Sequence, residues 1–132
     1  MTRYLLATAS VHTTAAAADY LDGRLAAAAD EVVVLTVDEP GVPARDAGDA
    51  VNVARSRLLP ATVTVEERAG DPTEAVRAVL SEREIGELLL GPRRGDPDTG
   101  PGDDTDGTLG STTRALLGTV DVPVVVLPMA AL

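Results

Sequence analysis

Residues 110–117 read GSTTRALL, and the first three are of types that can hold an anion. Gly110 lets the backbone approach a ligand, and Ser111 and Thr112 offer hydroxyls. A helix starting here would present first-turn N–H groups that have no acceptor within the helix. The simpler reading is that Ser111 caps the helix while Gly110 serves the turn. Upstream, LGPRR at residues 90–94 puts Gly91 where a strand ends, with Arg93 and Arg94 suited to phosphate oxygens. The same two arginines could instead neutralise the aspartates that follow. Between these stretches lies GDPDTGPGDDTDGTL, residues 95–109. It fails as a calcium loop, because a D-x-D-x-D-G frame would need Asp at 102 and Glu at 113 and finds Gly102 and Thr113. Gly, Pro, Asp and Thr without large apolar residues read as a solvated loop. The turn ATASVHTT after the first apolar run carries no acidic residue. Asp19 lies well inside the following helix, and His12 is a lone histidine with no partner in sequence.

What is absent narrows the chemistry further. With no cysteine there is no disulfide, thiolate nucleophile or iron–sulfur cluster. No lysine occurs anywhere, so neither a Walker P-loop nor a Schiff base can form. A single histidine rules out a multi-histidine metal site within one chain. The net charge of −10 repels nucleic-acid phosphates and anionic lipid headgroups, so neither nucleic acid nor membrane is expected as a partner. Eleven arginines and 21 acidic residues without lysine fit a protein adapted to a salty cytoplasm, although a GC-rich genome favours the same residues. No stretch approaches the roughly 18 apolar residues of a membrane span. YLLATA near the start reads as a buried strand rather than a signal peptide, and a cytoplasmic location is expected.

The elements that must position these residues alternate along the chain. YLLATA, residues 4–9, is a first strand, and residues 13–29 form an alanine-rich helix capped by Thr13 or Thr14 with Gly23 inside it. VVVLTV, residues 32–37, lacks alternation, as a parallel strand buried on both faces would. A helix over 44–59 and a half-exposed strand over 62–66 follow. In GDPTEAVRAVL, Asp71 can cap a helix, Pro72 fits its first position and Glu74 completes a box-like pattern. Residues 87–91 make the next strand, Ser111 to about Val120 a short helix, and Val122 to Leu127 the last strand. This order predicts a parallel α/β sheet with helices on both faces and one domain over 1–132, with 95–109 as a flexible acidic Gly/Asp-rich insertion. Ligands in such sheets bind beyond the carboxyl ends of the strands, where the strand order reverses. The core must be filled by Ala, Val and Leu, since Tyr4 and Tyr20 are the only aromatic residues.

Taken in order, these pieces resemble the universal stress protein (UspA-like) family over essentially the whole chain. The likeness rests on the short strand–helix start, VVVLTVDEP, GDPTEAV and, most specifically, the ending GSTTRALLGTVDVPVVVLP. It implies a three-layer α/β/α sandwich with a five-stranded parallel sheet in order 3-2-1-4-5, Rossmann-like and of the adenine nucleotide alpha hydrolase-like type. It also implies a homodimer and, for one branch, binding of ATP or a related adenine nucleotide, with Mg as a possible companion. That branch carries G-x2-G-x9-G-[ST]. By position, Gly91 matches the first glycine, Arg94 falls on the second, and Gly110 and Ser111 match the closing pair, with Thr112 next to them. Ala7 and Ala9 would lie near the adenine and ribose in the first turn, and Val37 at the end of the second strand. Two features depart from the pattern: fifteen residues separate Arg94 from Gly110, and Ala9 stands where binding members carry Asp. An origin in a halophilic archaeon fits the acidic, lysine-free composition.

Two functional expectations follow. The first is a regulatory protein holding an adenine nucleotide at the carboxyl ends of strands one and four, through Gly91, Gly110, Ser111 and Thr112 with help from Arg94. The second is a dimeric stress-response interaction module that has lost the nucleotide, which Ala9 and the stretched spacer favour. An enzyme is not expected, since no catalytic lysine or cysteine and no acid–base pair is assembled; slow hydrolysis by bound water would need none of these. The apolar run VPVVVL would be an edge strand whose pairing with a second copy covers it, and Pro123 is tolerated there.

Overall fold

A computed structural model describes residues 2–8, 10–25, 29–38, 44–59, 61–91 and 111–127, without the side chains of residues 44 and 111. Five strands and four helices alternate: β1 (Arg3–Ala7), α1 (Val11–Leu21), β2 (Glu31–Asp38), α2 (Ala44–Arg57), β3 (Thr62–Ala69), α3 (Pro72–Glu82), β4 (Glu87–Leu90), α4 (Ser111–Leu116) and β5 (Val124–Val126). Every strand pair is parallel. The order is β3-β2-β1-β4-β5, as the family resemblance implies.

The absence of alternation in β2 has its cause here. Val32, Val33, Val34 and Leu35 are all buried, because each face of the sheet carries its own helical layer. On one face Leu6, Val32, Val34 and Leu89 pack with Ala17, Ala18 and Leu21 of α1 and Val51, Ala54 and Leu58 of α2. On the other, Leu5, Val33, Leu35, Leu88 and Leu90 pack with Ala75, Val76 and Val79 of α3 and Leu116 of α4. The edge strand β3 does alternate. Val63 and Val65 join the α1/α2 side, while Thr64, Glu66 and Arg68 share the opposite face.

That polar face is tied down by charge. Glu31 of β2 accepts from Arg3 of β1 and from the Thr64 hydroxyl. Glu66 accepts from Arg83 and Arg68, and Arg68 reaches Glu82 at 2.7 Å. At the amino end of the sheet the two tyrosines meet. The Tyr20 hydroxyl donates to Glu87 at 2.8 Å, and the Arg24 guanidinium lies 4.2 Å from the Tyr20 ring centroid. Burial raises the Tyr4 hydroxyl pKa, with Glu87 adding to the effect.

Helix ends differ from the sequence expectation in four places, one being α2, which stops at Arg57 rather than at residue 59. The cap of α1 is Ser10, not Thr13 or Thr14: its extended backbone lets its side chain accept from the Thr13 N–H at 3.1 Å. Thr14 is unavailable as a cap because its side chain is turned fully inward. The same helix stops at Leu21 rather than running through Gly23, which sits past its end at φ 81°, where only glycine is unstrained. Helix α4 likewise stops at Leu116, ahead of Gly118 at φ 79°. For α3 the expectation holds: Asp71 accepts from the Glu74 N–H at 3.0 Å and Pro72 opens the helix. Strand β3 extends to Ala69 because each of its eight residues pairs with β2. The last strand is only three residues long, and the proposed insertion at 95–109 lies outside the described residues.

The carboxylates of this network predict acid sensitivity. Glu31 is held below the ordinary 4.5 by its bond from Thr64 and then by Arg3; Glu66 is lowered by Arg83 and then Arg68, and Glu82 by Arg68. Groups lowered on folding stabilise above their unfolded value, and that stabilisation is lost as pH falls through the folded one. The melting temperature should therefore hold steady near neutrality and fall as pH drops below about 5. Glu66→Gln should lower the neutral-pH melting temperature and flatten the acid limb, as thermal scans across pH 3–7 would show.

Candidate functional site

Strand order reverses between β1 and β4, where β1 connects outward to β2 and β4 to β5. The carboxyl ends of those two strands are therefore the place where an open α/β sheet leaves a crevice. Register puts Ala7 beside Leu90, so the residues that follow, Thr8 and Gly91, leave the sheet side by side. The first turns of α1 and α4 arrive at the same end.

The turn from β1 into α1 is built of hydroxyls. The Thr8 and Thr14 hydroxyls are 3.0 Å apart, and both reach the Ser10 carbonyl, at 3.0 and 3.1 Å. The Ser10 hydroxyl reaches that of Thr13 at 3.2 Å. Thr8 and Thr14 are buried. Each hydroxyl carries one hydrogen, so these contacts share two hydrogens among the two hydroxyls and the Ser10 carbonyl, and they tie the turn together without a charged side chain.

Gly91 is hemmed in by this turn. A Cβ there would stand 3.1 Å from Thr13 Oγ1 and 3.3 Å from Thr13 Cγ2. Its carbonyl accepts from the Thr113 hydroxyl at 3.2 Å, and Thr113 is 2% exposed. Helix α1, the end of β4 and the start of α4 thus meet at one residue. Helix α4 is held from its other end by Arg77, which donates to the Ala115 carbonyl and the Thr119 hydroxyl, both at 3.3 Å.

Of the residues singled out in the sequence, Ala7, Val37, Gly91 and Thr112 lie at this end of the sheet, and Ser111 opens α4. Ala7 and Val37 are half-buried against the α3/α4 side of the core. Ala9, Arg94 and Gly110 lie outside the described residues. Sequence reasoning missed Thr8 and Thr113 and took Thr14 for a helix cap. In TASVHTT the carboxylate that nucleotide-binding relatives carry is absent, and the hydroxyls of Thr8 and Ser10 drew no weight; in STT the first two positions were weighed and not the third. No cluster of three or more potential metal ligands occurs among the described residues. The described end of β2 carries one carboxylate, the exposed Asp38. An adenine nucleotide fits this set in chemistry: hydroxyls, small aliphatic side chains and first-turn amides suit phosphates and a ribose–adenine unit.

This architecture belongs to a well-populated class, the parallel five-stranded sandwich with its crevice between β1 and β4. Among solved structures of that class it is similar to the hypothetical protein MJ0577, with a TM-score of 0.77, 16% identity and coverage of 98% of this chain and 97% of that one. The hypothetical protein PH0823 superposes with a TM-score of 0.63 at 19% identity over 98% of this chain and 96% of that one. A universal stress protein from Archaeoglobus fulgidus gives 0.64 at 14% identity over 97% and 99%. The chain has the fold of these proteins. No family model matches the sequence, and no curated protein matches it. No helix among the described residues is long and apolar enough to cross a membrane.

The contact between Gly91 and Thr13 yields a test. Gly91→Ala should destabilise by about 1–3 kcal/mol, since the β-branched Thr13 has little rotamer freedom to yield. In a Thr13→Ala background the same change should cost much less. Urea unfolding of the four proteins in this cycle measures the difference.

Proposed function

We propose that this chain is a universal stress protein-like regulatory protein of the cytoplasm that binds ATP or a related adenine nucleotide at the carboxyl ends of β1 and β4. The supporting observation is the meeting of Gly91 with the first turn of α4, at the point where strand order reverses. Gly91, Gly110, Ser111 and Thr112 would hold the phosphates, with Arg94 adding charge. Ala7, Ala9 and Val37 would face the adenine and ribose, and Mg would accompany the phosphates. The role in this reading is binding rather than turnover. The fold shared with a universal stress protein and the Gly-Ser-Thr closing motif support the family assignment. The acidic, lysine-free composition supports a halophilic origin.

A second copy of the chain is the proposed partner, joined through the edge of β5. Leu88 N–H donates to the Pro123 carbonyl and Leu127 N–H to the Leu90 carbonyl. By alternation the N–H groups of Val124 and Val126 face away from β4. Antiparallel pairing across a two-fold axis would satisfy them. Val126→Pro should leave β4–β5 pairing intact and shift the sedimentation coefficient from dimer to monomer.

The alternative, an interaction module without nucleotide, is favoured by Ala9. A missing charged hydrogen bond weakens binding by about 1–3 kcal/mol. Titration calorimetry in molar KCl with ATP, with and without Mg, separates the two. Heat that ADP and AMP compete away supports the nucleotide reading, and Ala9→Asp should then tighten binding by about tenfold. No heat in the native chain favours the interaction module.

A further inference from the structure

We infer that Thr113 is the positioning residue of this site: its hydroxyl, not that of Thr112, fixes where the chain leaves β4 relative to the first turn of α4. The geometry is two-sided. On the α1 side Gly91 is closely flanked by Thr13, whose Oγ1 would stand 3.1 Å from a Cβ built at residue 91. The Gly91 carbonyl is held toward α4 by the Thr113 hydroxyl at 3.2 Å. Thr113 is 2% exposed and Gly91 half-buried, so the donor end of the bond is shielded from water. Its own backbone carbonyl accepts from the Leu117 N–H at 3.0 Å, so the residue is also part of the α4 ladder. Thr112, by contrast, is half-buried and no side-chain bond holds it to β4. A hydroxyl on Thr112 can touch a ligand; the hydroxyl on Thr113 sets the frame in which that contact is made.

The consequence for nucleotide affinity rests on the nucleotide reading above, while the consequence for the backbone does not, and the experiment separates them. Three full-length proteins are compared: the native chain, Thr113→Val, which keeps the shape and loses the donor, and Thr113→Ser, which keeps the donor. Circular dichroism melts establish that each is folded. Calorimetric titration with ATP and amide exchange with the Gly91 carbonyl-carbon shift by NMR are then recorded on all three. Thr113→Val should weaken ATP binding about five- to tenfold, move the Gly91 carbonyl signal and speed exchange in α4 without speeding it in β2; Thr113→Ser should restore all three. If the native chain binds ATP and Thr113→Val binds it equally well, the positioning role is overturned while the nucleotide reading stands. If the native chain takes up no ATP, the nucleotide reading fails and the NMR arm alone decides. In that arm, an unmoved Gly91 signal or unchanged α4 exchange in Thr113→Val overturns the inference. Faster exchange throughout the molecule does so as well, since it would make Thr113 a stabilising residue only.

Discussion

Everything in this molecule depends on a core made without large side chains. Phe and Trp are absent, and the buried apolar set is almost entirely Val, Leu and Ala. Close packing is then reached only if helix and sheet layers approach closely. Alanines at the contact surfaces, Ala17 and Ala18 of α1, Ala54 of α2 and Ala75 of α3, make that approach possible. The close layer spacing reappears at the crevice. Helix α1 comes so near the end of β4 that a methyl group at residue 91 would stand 3.1 Å from Thr13 Oγ1, and Thr13 would have to yield by a few tenths of an ångström. A glycine that the family resemblance assigns to a ligand is, on the geometry, also favoured by the protein's own packing.

Polarity inside the molecule is divided by chemical type. Among the described residues the buried polar ones are Thr8, Thr14, Thr36, Thr113 and Asp30, and no buried side-chain nitrogen or oxygen there lacks a partner. The threonines lie toward the carboxyl end of the sheet, whereas Asp30 sits at the amino end, where its carboxylate accepts from the Thr2 N–H at 2.7 Å. Among the described residues of the β1–α1 turn and the start of α4, hydroxyls bonded to one another and to the backbone hold the crevice in shape. The described part of the β1–α1 turn, Thr8 and Ser10 to Thr14, brings no carboxylate to this end of the sheet.

The fold was legible in the sequence because its signals are local and mutually consistent. An unalternating VVVLTV means burial on both faces, and DPTEAV names the start of α3 residue by residue. The errors fell where tertiary contacts override local preference. Thr13 and Thr14 looked like caps, but the hydroxyl of Thr8, six residues away from Thr14, draws Thr14 inward and leaves the cap to Ser10. Gly23 was read inside a helix whose alanines continue past it, yet its φ of 81° ends the helix. The site was legible only in outline. The family pattern pointed to Gly91 and Thr112, but Thr113 acts through a bond to a residue 22 positions earlier, and no periodicity in the sequence reports such a pair.

The placement of the two tyrosines has an optical consequence. With no tryptophan in the chain, Tyr4 and Tyr20 are its only near-ultraviolet chromophores above the phenylalanine range, and phenylalanine is absent too. Both sit at the amino end of the sheet, and Tyr20 is fixed there by its bond to Glu87 and the guanidinium of Arg24. The crevice lies at the other end of the strands. Intrinsic absorbance and emission from this protein therefore watch the base of the sheet and carry little direct signal from the end where Gly91 and Thr113 meet.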